Sequence, residues 1–454
     1  MTGALQTDFV TGHADLATAI GRLDKWTAYR LRERRLPGVA VGLVHRGELI
    51  WGKGYGVADM EQQTPMTLDT RFRIASITKT FTGVATMQLR DAGKLRLDDP
   101  VSQYLDWFDL RYPGAPAITI RHLLTHTSGL PRDATVPHWT EHIFQSWAEV
   151  VETTKQRQPV LPPRQEFGYS NLGYTLLGGV IEAASGERWA DYIQQHILDP
   201  LQMTNTVAAP DGSEANLATG YFMPDDNGVR QPAPFIPTNG FSPSASMASS
   251  VNDLVKYMRF HLGTDDSPVL NGHTLREMHT VDWLYKDWSG GYGAGIGLYR
   301  IGDWTISGHS GGYNGYLTQF TLCRDHAAGV IVLTNCIGSD PFSFVEQAYK
   351  LVLPELIKID APKPAEPKAD WQPFVGTYVD KWSEIEVVVR GGQLQVVSVQ
   401  WMNEPPVILE PTDDPAVFTI KEPNGTRETA RFERNEAGEV TRVWLRNEYL
   451  RRKL

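Results

Sequence analysis

Cysteine is nearly absent from this chain, with only Cys323 and Cys336 among 454 residues. Both fall in apolar segments that read as neighbouring strands joined around Arg324-Asp325-His326. A hairpin centred there puts them out of register, so two buried thiols are expected rather than a disulfide. Long apolar runs are missing too: no stretch of eighteen apolar residues occurs, which excludes an ordinary membrane-spanning helix. The start, Met1-Thr2-Gly3-Ala4-Leu5-Gln6-Thr7-Asp8, has neither the basic residues nor the apolar stretch of a secretory signal. The expectation is therefore a soluble, cytoplasmic chain, with a periplasmic or secreted location open if a signal has been removed. Positive charge is in deficit, 43 Lys and Arg against 53 Asp and Glu, and the net charge of -10 disfavours nucleic acid or an anionic membrane as the main partner. No internal repeat is present.

What is there is an ordinary globular composition, 41% hydrophobic and 21% charged, in a chain long enough for two or three domains. Residues 12–35 read as an amphipathic helix, followed by two strands, Gly38–Val44 and Glu48–Trp51, around His45-Arg46-Gly47. Helical patterns dominate from Ser76 to about residue 200. Strands return at 293–301, 303–307, 315–323 and 329–335, and a helix runs near 342–357. Strands at both ends with helices between imply one antiparallel sheet with an inserted helical region, an α+β arrangement. The stretch Ala361-Pro362-Lys363-Pro364-Ala365-Glu366-Pro367-Lys368 reads as a linker. Beyond it, strands at 385–389, 393–396, 417–420, 429–432 and 440–444 suggest a small antiparallel barrel or sandwich of about 85 residues.

Three short motifs carry chemistry. Ser76 and Lys79 form the chain's one Ser-x-x-Lys, at the start of an apolar helical pattern (Ile77, Phe81, Val84, Leu89) that Gly93 closes. Residues i and i+3 share a helix face, so the amine reaches the hydroxyl and, if burial lowers its pKa, activates it. Tyr169-Ser170-Asn171 precedes a second apolar helix closed by Gly186. The Tyr169 phenol there can share a proton with Ser76 and Lys79, and the Asn171 amide can orient Lys79 or hold a substrate carbonyl. The same residues also suit a plain helix cap beside a packed tyrosine. Gly308-His309-Ser310-Gly311-Gly312 matches the nucleophile elbow Gly-x-Ser-x-Gly, yet that elbow needs a helix after the serine, and Tyr316–Leu322 reads as a strand. His122 and His126 are spaced as helix-borne metal ligands, but no glutamate follows His122. Gly293-Ala294-Gly295-Ile296-Gly297 lacks the strand-turn-helix setting of a nucleotide loop and reads as a strand bordering a cleft. Trp139, Trp283 and Trp288 sit in polar stretches where they could line an apolar pocket.

In order and separation, Ser76-x-x-Lys79, Tyr169-x-Asn171 and His309-Ser310-Gly311 resemble the three motifs of the serine β-lactamase and penicillin-binding-protein superfamily. The match is to the branch that holds class C β-lactamases, D-aminopeptidases and esterases. Arg121-His122-Leu123-Leu124-Thr125-His126-Thr127-Ser128-Gly129-Leu130-Pro131 is also similar to a segment of that branch. The resemblance covers about residues 30–355. With the linker read over 361–370, it implies a hydrolase domain over 1–360, and the β domain over 371–454 resembles the lipocalin-like extension of some peptidases of this group. It further implies a cleft in which Ser76 attacks a carbonyl to form an acyl-enzyme while Lys79 and Tyr169 shuttle the proton. The backbone N–H groups of Ser76 and Gly312 would form the oxyanion hole, and Asn171, His309, Ser310 and Gly311 would contact substrate. No metal or other cofactor is implied. Many members begin the third motif with lysine; here it begins with His309, so recognition of an anionic β-lactam or peptide terminus should be weaker. The leading expectation is a carboxylesterase or D-aminopeptidase-type peptidase acting on a small ester, amide or short peptide. A weak β-lactamase or DD-peptidase, and a degenerate acyl-ligand binding protein, are the alternatives. A homo-oligomer is compatible with this reading.

Overall fold

A computed structural model describes residues 5–133, 143–263, 267–361, 371–399, 406–421, 427–445 and 448–453. The chain divides into two compact units, Met1–Ile359 and Asp360–Leu454. Of the linker expected at 361–370, residues 362–370 lie outside the described residues.

The first unit is built on an antiparallel sheet with helices on both faces, the α+β class that the sequence implies. The N-terminal hairpin, Gly38–His45 with Glu48–Asp59, joins strands from the far end of the unit because Gly38–His45 pairs with Ala328–Thr334. The sheet continues through Tyr316–Cys323, Trp304–Tyr313 and Gly297–Ile301. Side-chain alternation divides the packing. Val39, Val41 and Leu43 meet Leu16, Ile20 and Leu23 of the helix Ala14–Glu33 and Val345 and Tyr349 of the helix Pro341–Asp360. Ala40 and Val44 belong to the opposite core with Phe81, Val84, Leu254 and Met258. Gly38–His45 is buried along its whole length, so it reads as one apolar run rather than an alternating strand. The inserted region supplies helices Thr78–Asp91, Trp147–Lys155 and Asn171–Ser185. Cys323 and Cys336 are free and buried. Among the described residues no helix is long and apolar enough to cross a membrane.

The second unit is a closed eight-stranded antiparallel barrel. Its first strand, Gly376–Val379, pairs with its last, Glu448–Arg452, which leaves no sheet edge. Val387, Leu394, Phe418, Phe432 and Val443 fill the interior. The 3-10 turn Gln372–Phe374 lays the Phe374 ring against Phe418 and Phe432, with centroids 5.4 and 4.7 Å apart.

Candidate active site

The Ser76 motif departs from the expected helix start. Ser76 lies in a 3-10 turn, Ala75–Ile77, and the α-helix begins at Thr78. The cause is Ala75, whose φ of 49° puts an L-residue in the left-handed region at a cost of roughly 1–2 kcal/mol. Surrounding structure holds this conformation in place. Ile74 donates its N–H to Met247 O at 2.9 Å and accepts from Thr318 Oγ1 at 3.2 Å. Gly311 packs so closely that a Cβ there would lie 2.2 Å from Ile74 O. That glycine therefore seats the third motif against the serine turn rather than lining the cavity.

Lys79 is fully buried, and its amine has three neighbours: Asn171 Oδ1 at 2.7 Å, the Ser244 carbonyl at 2.8 Å and Ser76 Oγ at 3.1 Å. The first two are obligate acceptors. Ser244 offers a backbone oxygen, and the orientation of Asn171 is set because its Nδ2 donates to Asp133 Oδ1 at 2.7 Å. Desolvation holds the Lys79 pKa well below its ordinary value; nearby Asp133 works against this and Arg132 with it. A neutral amine has two N–H groups, which the two acceptors take, so its lone pair is left for the Ser76 hydroxyl.

Tyr169 is positioned by the cap of the helix Asn171–Ser185. Ser170 Oγ accepts from Gly173 N–H at 2.9 Å and donates to Pro131 O at 2.7 Å. The Ser170 N–H donates to Nδ1 of the fully buried His126 at 3.0 Å. The capping and the chemical readings of Tyr169-Ser170-Asn171 thus hold together. The Tyr169 ring lies 4.9 Å from Lys79 Nζ, and its phenol is hydrogen-bonded to the Ser76 side chain. Burial raises the phenol pKa, which the Ser76 contact only partly offsets, so the group keeps its proton.

The third motif lies on the strand Trp304–Tyr313, which turns directly into Tyr316–Cys323, so no nucleophile elbow forms. Pairing with Gly297–Ile301 stops at Gly308. His309 donates Nδ1–H to Ser310 O at 2.6 Å, and its Nε2 accepts from Tyr292 OH at 3.1 Å. Burial, with Lys79 adding to it, takes the His309 pKa down to about 3, so this imidazole is neutral. The Ser310 side chain is exposed.

Ser76, Tyr169, Asn171, His309, Ser310 and Gly312 line one cavity of about 450 Å³ together with Arg132. An adjoining cavity of about 270 Å³ has walls of Phe167, Tyr285, Tyr292, Tyr299 and Phe342. Its aromatic rings are therefore not the expected tryptophans. Trp288 points to solvent at 76% exposure, Trp283 lies on the short strand Trp283–Leu284, and Trp139 is outside the described residues. Gly293–Ile296 forms a turn rather than a strand. His122 is far from metal chemistry in its role: its Nδ1 accepts the Thr119 N–H at 3.1 Å and caps a short helix. Among the described residues no cluster of three or more His, Cys, Asp or Glu is placed to hold a metal. Sequence reasoning missed Arg132, Asp133 and the Ser244 carbonyl. The two adjacent charges follow directly on Gly129-Leu130-Pro131, a turn signal; Ser244 is 165 residues from Lys79 and gives none.

A family model described as Beta-lactamase matches residues 23–352. The "Beta-lactamase-like protein 2" of Dictyostelium discoideum is 27% identical over 405 residues, 82% of this chain and 73% of that protein. "Protein flp" of Staphylococcus aureus (strain MW2) is 29% identical over 322 residues; the match takes in 69% of this chain and 62% of that protein. The octameric penicillin-binding protein homologue from Pyrococcus abyssi superposes with a TM-score of 0.68 at 26% identity, covering 95% of this chain and 99% of that one. EstCE1, described as a hydrolase with promiscuous acyltransferase activity, shares the fold at 23% identity and a TM-score of 0.61, over 75% of this chain and 98% of its own.

Proposed function

The chain belongs to the beta-lactamase family, and from that premise we propose that it is a serine hydrolase that forms an acyl-enzyme on Ser76 and cleaves an ester or amide. The observation that carries this is the Lys79 amine, desolvated and with both N–H groups taken by fixed acceptors, so that its lone pair faces the Ser76 hydroxyl. Lys79 takes the Ser76 proton as the oxygen adds to the substrate carbonyl. Tyr169, still protonated, then hands its proton to the departing oxygen or nitrogen and recovers one from Lys79. The Ser76 and Gly312 backbone N–H groups stabilise the oxyanion. Water repeats the sequence on the acyl-enzyme and releases the acid. Neutral His309 helps position substrate through its strand without contributing a charge, which favours the esterase and D-aminopeptidase-type side of the family over the penicillin-recognising side. The octameric assembly of the Pyrococcus abyssi protein supports a homo-oligomer here as well.

The test is turnover of a short-chain p-nitrophenyl ester, a D-alanine p-nitroanilide and nitrocefin by the wild type, Ser76→Ala and Ser310→Ala. Loss of all turnover and of fluorophosphonate labelling in Ser76→Ala alone is expected. A dead Ser310→Ala beside an active Ser76→Ala would overturn the proposal, and a stable fluorophosphonate or acyl adduct without turnover of any substrate would point to a binding protein.

A further inference from the structure

The two basic side chains that the first and third motifs bring to the cleft, Lys79 and His309, both have pKa values lowered by burial. The cavity nevertheless has a permanent cation. Arg132 lines it beside Ser76, Tyr169 and Asn171, and its side chain is 68% exposed. Its backbone is fixed, since the Arg132 carbonyl accepts from Asn171 N–H at 2.7 Å and from Leu172 N–H at 3.2 Å, at the start of the helix that carries the second motif. Its head group is fixed as well. The guanidinium carbon sits 5.2 Å from the centroid of the Tyr169 ring, and Nε lies 3.5 Å from Asp133 Oδ2. Asp133 is itself committed elsewhere, because its Oδ1 takes the Asn171 amide at 2.7 Å. A long, one-point contact of this kind to an exposed guanidinium is a weak pair. It orients the arginine and leaves the two Nη groups without a partner among the described residues. The exposed edge of a guanidinium is the fork that matches a carboxylate in two parallel hydrogen bonds.

Resting on the reading of Ser76 as the nucleophile, we propose that Arg132 is a specificity-determining residue that selects substrates carrying a carboxylate a few bonds from the scissile carbonyl. The distance class follows from the geometry. The guanidinium lies over the ring whose phenol contacts Ser76, so the bound anion and the reacting carbon are separated by about the width of that ring. A lysine at the head of the third motif would hold an anion from the strand side of the cleft. Here that position is a neutral histidine, and the cation comes instead from the segment that follows the helix Ile120–Leu124, over the Tyr169 ring. The expectation from the sequence, that loss of the third-motif lysine weakens recognition of anions, misses this second source of charge. The chain's net charge of -10 repels anions at a distance, so the selection is a local, short-range one.

The experiment compares matched pairs of substrates that differ in one charge. The mono-p-nitrophenyl ester of adipic acid against p-nitrophenyl hexanoate places the carboxylate on the acyl side; 3-acetoxybenzoate against 3-acetoxybenzamide places it on the leaving-group side. In the wild type one pair is expected to show higher kcat/KM for the anion. In Arg132→Gln that anion-to-neutral ratio should fall about tenfold or more, the scale of a lost charge-assisted hydrogen bond, mainly through KM. Arg132→Lys should recover part of it. Fluorophosphonate labelling of Ser76 in each variant reports that the site is folded. If neither ratio changes between wild type and Arg132→Gln while the neutral esters turn over through Ser76, the proposal is wrong and the hydrolase reading stands. If the wild type turns over none of the four esters and Ser76 takes no label, the hydrolase reading itself has failed.

Discussion

The two units of this chain solve the problem of a buried core in opposite ways. In the barrel every buried described residue is apolar or, at Tyr378, carries a single hydroxyl that donates to Phe374 O at 2.8 Å. The first unit buries Lys79, Arg73, Asp253 and His126, His261 and His309, and all 12 histidines of the chain lie within it. Each such group costs desolvation that must be offset by specific partners. Asp253 receives the Asn205 N–H and the Thr206 hydroxyl, and Arg73 donates to the Ser246 and Ile236 carbonyls between the rings of Phe235 and Tyr313. The barrel shows what folding alone requires. The polar interior of the first unit is the surplus, and at Lys79 the cost of burial lowers the pKa toward the neutral amine that the proposed mechanism needs.

The strongest way to sharpen that contrast is to remove the amine. Lys79→Met keeps the volume and loses the proposed base, and kcat/KM should drop by about a thousandfold, within the range for a lost general base. The wild-type pH profile gives the sign. A base with a lowered pKa is active once deprotonated, so kcat/KM should reach its plateau at a lower pH than an ordinary lysine would allow and fall as acid protonates Lys79. Were Tyr169 the base, activity would instead climb into the alkaline range, because burial raises its pKa above 10. His309, titrating at about 3, should add no inflection in the neutral range.

How much of this is legible in the sequence follows the same division. Ser76 and Lys79 are three residues apart, and Tyr169 and Asn171 frame a helix cap, so local periodicity places each pair correctly. The hairpin that disqualifies the Ser310 elbow is equally local. What escapes is what only long-range packing supplies. The Ser244 carbonyl holds Lys79 directly and the Asp133 carboxylate does so through Asn171, both from distant segments; Ser244 gives no signal in its own stretch, and the turn before Asp133 does not say which group it meets. The two-residue shift from Ser76 to the true helix start at Thr78 has the same origin, since contacts from Met247 and Thr318 flank the left-handed Ala75. In the barrel, the strands Gly376–Val379, Val407–Pro411 and Glu448–Arg452 escape because they are short and carry glycine, proline or charges. They hold as strands because closure pairs them on both sides.

Acid should separate the two units. Burial lowers the pKa of His122 to about 4 and of His261 and His309 to about 3, and holds His126 and His279 well below 6.5. The unfolded chain therefore binds protons before the folded one does. The part of the first unit's stability that these neutral histidines carry is full above about 6.5 and is lost as pH falls from there toward the lowered values. The barrel has no histidine. Its Asp380 is desolvated, which opposes the shift, yet the Trp382 and Ser383 N–H groups hold its carboxyl below 3.8, so its own loss should begin at lower pH. Calorimetry of the full chain between pH 7 and 4 should show one transition moving down by many degrees and a second nearly stationary. Two transitions that move together would remove the histidines as the cause.

The smallest effect tests whether the buried Tyr378 hydroxyl matters to the barrel at all. Tyr378→Phe removes the bond to Phe374 O and leaves the ring, which stays packed 5.9 Å from Phe432. The orphaned acceptor is the carbonyl of the 3-10 turn that puts Phe374 into the barrel core. A cost of about 1 kcal/mol is expected, the ordinary net worth of such a bond, read as a lower denaturant midpoint for the barrel transition with an unchanged slope. Ester turnover through Ser76 should not change. A loss nearer 3 kcal/mol would mean that this carbonyl is fully cut off from water once the hydroxyl is gone, and the barrel would then depend on a buried polar contact much as the first unit does.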